Sequence, residues 1–146
     1  EVIKPFMAYL PVKEYTTYGS KTRITLFSLN FKPQKVKNTV NKDLAYYGTL
    51  YVATSNDTFS SATMMATILR DNAIAMVVGQ PSANKPSAYG DILTYQLPHS
   101  KLAMVLTYKQ FSRPDPTLDA ETALMPDIPV PLDQIKEAVI GRIGKK

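Results

Sequence analysis

The spacing of apolar residues changes several times along this chain, and each change marks a structural element. Val2, Ile3, Phe6, Met7 and Leu10 recur at helical intervals, so residues 1–10 read as the end of an amphipathic helix. Residues 22–31, rich in Thr, Ile, Leu and Phe, read as a strand. Residues 48–54 (Gly-Thr-Leu-Tyr-Val-Ala-Thr) are almost continuously apolar or β-branched, the pattern of a strand covered on both faces. A helix follows over 60–71, with Ala62, Met65, Ala66 and Leu69 on one stripe and Asp57 or Thr58 placed to cap it. Residues 75–79 form the next short buried strand. Residues 91–97 and 102–111 are two strands joined through Pro98-His99-Ser100-Lys101 as a hairpin. The stretch 113–127 holds Pro114, Pro116 and Pro126 and is expected to be irregular. A helix from about 132 to 143, apolar at Ile135, Ala138, Val139 and Ile143, closes the chain.

The series strand 48–54, helix 60–71, strand 75–79 is a βαβ unit, so its two strands should lie parallel with their carboxyl ends at one sheet edge. Ser60 follows the first of those ends and Lys85 the second, at the edge where open α/β sheets place their sites. A serine at a helix start also faces backbone N–H groups that can hold a developing oxyanion. For Lys85 to act as a general base it must be neutral near pH 7, which calls for a pKa lowered by about 3 from its ordinary ~10.4 through burial. Pro81, Ala83, Pro86, Ala88 and Tyr89 surround it in sequence, and no acid lies between Asp71 and Asp91.

Each feature also has a plainer reading. A serine at a helix start is most often a cap, and a loop lysine is most often a solvated surface group. Ser61 rivals Ser60 as a nucleophile. His99 raises a Ser–His alternative, but a hairpin turn is polar for reasons unrelated to catalysis. Met64 and Met65 read as core filler.

Composition narrows the field. With 146 residues, 45% of them hydrophobic, the chain has the size of one domain with its own core. No apolar run approaches the ~20 residues of a membrane span, and no signal-peptide pattern opens the chain. Cysteine is absent and His99 is the one histidine, which removes thiol catalysis and argues against a histidine metal site. The net charge of +5 arises in residues 1–47, where eight Lys/Arg face three Asp/Glu. Lys32, Lys35, Lys37 and Lys42 would be the patch for a nucleic acid, but no aromatic is interleaved among them, and they read as a solvated loop. The chain opens at Glu1 without a methionine, so it is expected to be a piece of a longer product.

Taken together, Leu50-Tyr51-Val52, Thr58-Phe59-Ser60-Ser61-Ala62, Val77-Val78-Gly79, Lys85, Leu97-Pro98 and Pro126-Asp127-Ile128 resemble, in that order, the catalytic half of the C-terminal processing, or tail-specific, proteases over residues 48–130. The resemblance implies an α/β fold of the crotonase and Clp-peptidase type, here residues 1–146 as the C-terminal part of a catalytic domain. It implies Ser60 as nucleophile, Lys85 as general base and Ser61 as a backbone oxyanion donor, without metal or cofactor. Substrates would be proteins cut near exposed, often apolar, carboxyl termini. Two departures stand out: Tyr89 occupies the place where many members carry a glutamine that orients the lysine, and the family's Gly-Gly segment and PDZ module would have to precede Glu1. The run Gly79 to Gly90 resembles the branch found in bacterial envelope proteins, which implies an envelope or extracellular location. A catalytically silent peptide-binding relative and a hydrolase of small esters or amides are the alternatives.

Overall fold

The computed structural model describes residues 3–24 and 26–143. Helix α1 (Ile3–Met7) is followed by strands β1 (Glu14–Thr16), β2 (Gly19–Ile24), β3 (Phe27–Phe31), β4 (Lys35–Lys37) and β5 (Leu50–Thr54). Then come helix α2 (Ser61–Asp71), β6 (Ala75–Gly79), β7 (Tyr89–Gln96), β8 (Ala103–Ser112), β9 (Ile128–Pro129) and α3 (Ile135–Ile143). The expected βαβ unit is present: β5 and β6 pair in parallel from Leu50↔Ala75 to Thr54↔Gly79, with α2 between them in sequence. Strand β9 adds to β6, also in parallel, completing a three-stranded sheet.

A second sheet, in the order β3-β2-β8-β7, is antiparallel. Its β7–β8 hairpin lies where the alternation of residues 91–111 places it. The single strand expected over 22–31 is instead two, since β2 and β3 pair antiparallel with Ile24 opposite Phe27. Too few residues separate them for any turn signal to interrupt the β-rich run. Strands β1 and β4 form a two-stranded ribbon, so part of the lysine-rich segment expected to be a loop is ordered, with Lys35 Nζ 3.2 Å from Glu14 Oε1. Helix α1 ends at Met7, and Val2 lies outside the described residues.

One core cluster joins Ile3, Met7 and Leu10 to Tyr15 of β1 and to Ile68, Leu69 and Ala75. A second joins Ala66, Val77 and Leu124. Helix α2 is thus the element on which both clusters meet. Its buried stripe differs from the expected one: Ala62 is exposed, and Thr63 and Thr67 are fully buried. Those two threonines are tolerated inside because the Thr63 hydroxyl is 3.0 Å from the Thr58 carbonyl and that of Thr67 donates to the Thr63 carbonyl at 2.7 Å.

The proline-rich segment 113–127 is largely irregular, as its sequence suggests, but it is fastened from within. Arg113, 1% exposed, donates from Nε and Nη2 to both carboxylate oxygens of Asp71 and from Nη1 to Glu121 and the Leu118 carbonyl. Arg70 continues the network to Glu121 and Asp127, and Asp127 accepts the Val77 N–H at 2.8 Å. Burial by itself would lower the Arg113 guanidinium. Its hydrogen bonds to Asp71 and then Glu121 outweigh that, and the net shift is upward.

Candidate active site

Strand β5 ends at Thr54, and a short loop carries the chain to α2. The Ser55 carbonyl accepts the Thr58 N–H at 2.9 Å, and the Thr58 hydroxyl accepts the Ser55 N–H at 2.9 Å. This closed turn delivers Ser60 to the helix N-cap with φ 56° and ψ −121°, outside the regions most non-glycine residues occupy. Such a conformation costs on the order of 1–3 kcal/mol and persists only where its surroundings enforce it. A serine on a strained strand-to-helix turn, with its side chain exposed, has the placement of a nucleophile elbow.

The enforcement comes from Asn84. Its Oδ1 accepts the Ser60 N–H at 2.8 Å and the Thr63 hydroxyl lies 2.9 Å from the same oxygen, while its Nδ2 donates to the Lys85 carbonyl at 2.8 Å. Neither Asp57 nor Thr58 caps the helix as expected. The helix makes no side-chain cap bond of its own, and the Ser60 N–H is satisfied from the loop after β6 instead.

That loop is pinned at both ends. Gly79 has φ +120°, and a Cβ there would strike the Thr54 carbonyl. Gln80 and Thr54 exchange two hydrogen bonds, Ala83 N–H donates to the Thr58 carbonyl at 2.9 Å, and the Ser82 hydroxyl bridges the Asn84 carbonyl and the Leu124 N–H. Beyond Lys85, the Tyr18 hydroxyl donates to the Pro86 carbonyl at 3.2 Å. The βαβ geometry therefore brings the segment bearing Lys85 against the turn bearing Ser60.

The side chains part company within this frame. Ser60 and Ser61 open onto a cleft of about 390 Å³, together with Phe59, Met64, Pro86 and Tyr89. Lys85 is not among the residues lining it. Its Nζ lies 3.8 Å from Asp119 Oδ2, both side chains being nearly half exposed. The expectation that no acid neighbours Lys85 held only along the local sequence, because Asp119 arrives from the segment after β8. Tyr89, 64% exposed, faces the cleft. His99 sits in the exposed turn between β7 and β8, away from the cleft lining. Asn84 and Asp119 were both missed. Nothing in the sequence separates Asn84 from an ordinary loop asparagine, and Asp119 lies in a stretch whose buried anchor, Arg113, carries no sequence signature.

Residues 6–130 match peptidase family S41. This chain belongs to peptidase family S41. No curated protein matches the sequence. Among solved structures, a putative peptidase from Parabacteroides merdae superposes with a TM-score of 0.72 at 13% identity, over 96% of this chain and 46% of that one. A point mutant of CPAF gives 0.65 at 12% identity, over 97% of this chain and 38% of that one. The photosystem II D1 C-terminal processing protease gives 0.55 at 12%, over 86% and 30%. These likenesses establish the expected α/β fold as that of S41 peptidase domains, and the chain spans less than half the length of each.

Proposed function

We propose that this chain is the C-terminal part of the catalytic domain of a serine endopeptidase that cuts proteins near exposed carboxyl termini, with Ser60 as nucleophile and Lys85 as general base. The observation that carries this reading is the strained turn at Ser60, held open to the cleft by Asn84. Membership of S41 supports the reaction class.

In this mechanism neutral Lys85 turns from Asp119 to take the Ser60 hydroxyl proton as Oγ attacks the scissile carbonyl. Ser61, in the first turn of α2, offers a backbone N–H of the kind that helix starts leave without an intrahelical acceptor, and so serves the oxyanion. The proton passes to the leaving amine, and water then releases the acyl group. Tyr89 stands at the cleft in place of the family's glutamine. The apolar walls given by Phe59, Met64 and Pro86 suit an apolar substrate side chain. No metal or nucleotide is required.

The upstream half of the domain is the partner this reading needs. On one face of the antiparallel sheet Phe27, Leu29, Phe31, Ile92 and Val105 are all more than half exposed, and on the other Leu93, Tyr95, Met104 and Leu106 are exposed as well. A sheet apolar on both faces is built to be covered. Among the described residues no helix is long and apolar enough to cross a membrane. The envelope is the compartment this reading favours.

The contact between Lys85 and Asp119 favours one other reading, a catalytically silent relative that holds peptides in the cleft. Labelling the full-length protein with a serine-directed fluorophosphonate separates the two. The peptidase reading expects labelling that Ser60→Ala abolishes, Lys85→Ala strongly slows and Ser61→Ala spares, together with cleavage of an unfolded protein. Absence of labelling in the wild type rejects it, and labelling without protein cleavage points to a small-ester or amide hydrolase.

A further inference from the structure

We propose that the cleft at Ser60 contains a cation subsite, made by the carboxylate of Asp91 and the ring of Phe111, that takes an arginine or lysine side chain of the substrate close to the bond being cut. The proposal rests on the reading of this cleft as the place where substrate meets Ser60, and adds a substrate class to it.

Three observations carry it. The first is charge: among the described residues lining the cleft Asp91 is the one that bears a charge, and Phe111 stands in the same wall. The second is strain. Strand β7 pairs with β8 through Gly90↔Lys109 and Ile92↔Thr107, but between these the register has no partner for Asp91, whose φ is 49°. Strict alternation along the strand would place Asp91 on the face of Tyr89 and Leu93. Its Oδ2 instead lies 3.2 Å from the Nζ of Lys109, a residue of the opposite face, which also carries Phe111. A left-handed residue inside a strand costs stability, and an ion pair whose side chains are 46% and 29% exposed returns little, so the arrangement is not explained as a fold-stabilising device.

The third observation is that a cation already sits at this place. Lys109 Nζ lies 5.0 Å from the centre of the Phe111 ring as well as beside Asp91, so a carboxylate and an aromatic face converge on one ammonium. Gly90 lets the ring approach the strand, since a Cβ there would come within 2.9 Å of Phe111 Cε2. Lys109 is itself outside the cleft lining, and it engages one oxygen of a carboxylate that can accept from two cations. A basic side chain entering from the cleft meets the same two partners.

The chemistry of the walls agrees. Lysine and arginine carry a long apolar stem and a charged end, so Phe59, Met64 and Pro86 receive the stem while Asp91 receives the head. Arginine should be preferred, because its planar guanidinium both stacks on a ring and presents paired N–H groups to a carboxylate. Lys109 competes for Asp91 and repels the incoming charge, so it limits the affinity of the subsite.

The test uses the full-length protein carrying Ser60→Ala, so that peptides bind without being cut. The probes are short fluorescent peptides of alanine and leucine in which one arginine, or its uncharged isostere citrulline, is moved through every position. Anisotropy titrations give the ratio of arginine to citrulline affinity. At one position the ratio is expected to reach about 3- to 10-fold and to fall as salt rises. Asp91→Asn, which keeps a residue tolerant of the left-handed conformation, should bring that ratio close to one. Lys109→Met should raise it about 2- to 5-fold further, because the competing ammonium is gone. Thermal unfolding checks that each variant is folded. Absence of binding by any arginine peptide, a ratio of one at every position, a ratio that survives Asp91→Asn, or weaker arginine binding in Lys109→Met overturns the proposal. Fluorophosphonate labelling of the protein with Ser60 intact is read separately: its absence rejects the Ser60–Lys85 reading alone, and the ratio still decides the subsite.

Discussion

The side chain of Asn84 accepts the backbone N–H of Ser60 at 2.8 Å, joining the loop after β6 to the turn before α2 through a single oxygen. That oxygen also takes the Thr63 hydroxyl, 2.9 Å away. Asn84→Ala leaves both donors without this acceptor and releases the strained turn. The expected result is a loss of about 1–3 kcal/mol in urea unfolding, with Ser60 labelling slowed by more than the fall in folded fraction explains. Asn84→Asp, which keeps an acceptor in the same place, should lose less of both. Equal labelling rates in Asn84→Ala and wild type would show that Ser60 holds its conformation unaided.

Gly79 makes a backbone prediction. At φ +120° and against the Thr54 carbonyl, the position excludes a side chain, and the loop carrying Asn84 and Lys85 departs from it. Gly79→Ala should destabilise by roughly 1–3 kcal/mol and disturb the paired bonds between Thr54 and Gln80. Amide hydrogen exchange at residue 80 reads the second effect directly. Unchanged stability would mean that β6 ends with more freedom than its geometry shows.

How much of this was legible beforehand follows the range of the interactions. The β5–α2–β6 unit could be read because each part is specified by its own few residues and the crossover rule supplies the pairing. Ser60 and Lys85 were brought to one edge by that rule alone. The β2–β3 hairpin was not legible, since Thr, Ile, Leu and Phe recur throughout 22–31 and the reversal leaves no glycine or proline mark. Nor was the Arg113–Asp71–Glu121–Arg70–Asp127 network, whose members come from two distant stretches and resemble surface charges until the fold buries them. Asp119 was hidden for the same reason: its position depends on Arg113, and its proximity to Lys85 depends on both.

Arg113 therefore governs the segment's shape. Removing one member of a buried ion pair leaves the other charge uncompensated, which typically costs about 3–5 kcal/mol. Arg113→Met should destabilise on that scale in urea, while Arg113→Met combined with Asp71→Leu should regain part of the loss. The double variant separates charge burial from simple packing. If the two single changes add without coupling, the pair is not the anchor its 2.7 Å contact implies.

Tyr18 links stability to pH. Desolvation, the largest influence on it, raises the phenol well above its ordinary value near 10, with the charges of Asp71 and Asp119 adding to the rise. A group whose folded value is raised contributes stability that is fully present below the unfolded value and is lost as pH climbs toward the folded one. The wild type should therefore weaken progressively above about pH 10, because the unfolded chain gives up this proton first. Tyr15, raised by burial as well, adds to the same alkaline loss. Tyr18→Phe removes the ionisation together with the bond to the Pro86 carbonyl. It should lower stability by about 0.5–1.5 kcal/mol at pH 7 and flatten the slope above pH 10. Urea midpoints at pH 7, 9, 10 and 11 for the two proteins decide the matter: parallel declines would assign the alkaline weakening to other groups, and convergence toward high pH would assign it to Tyr18.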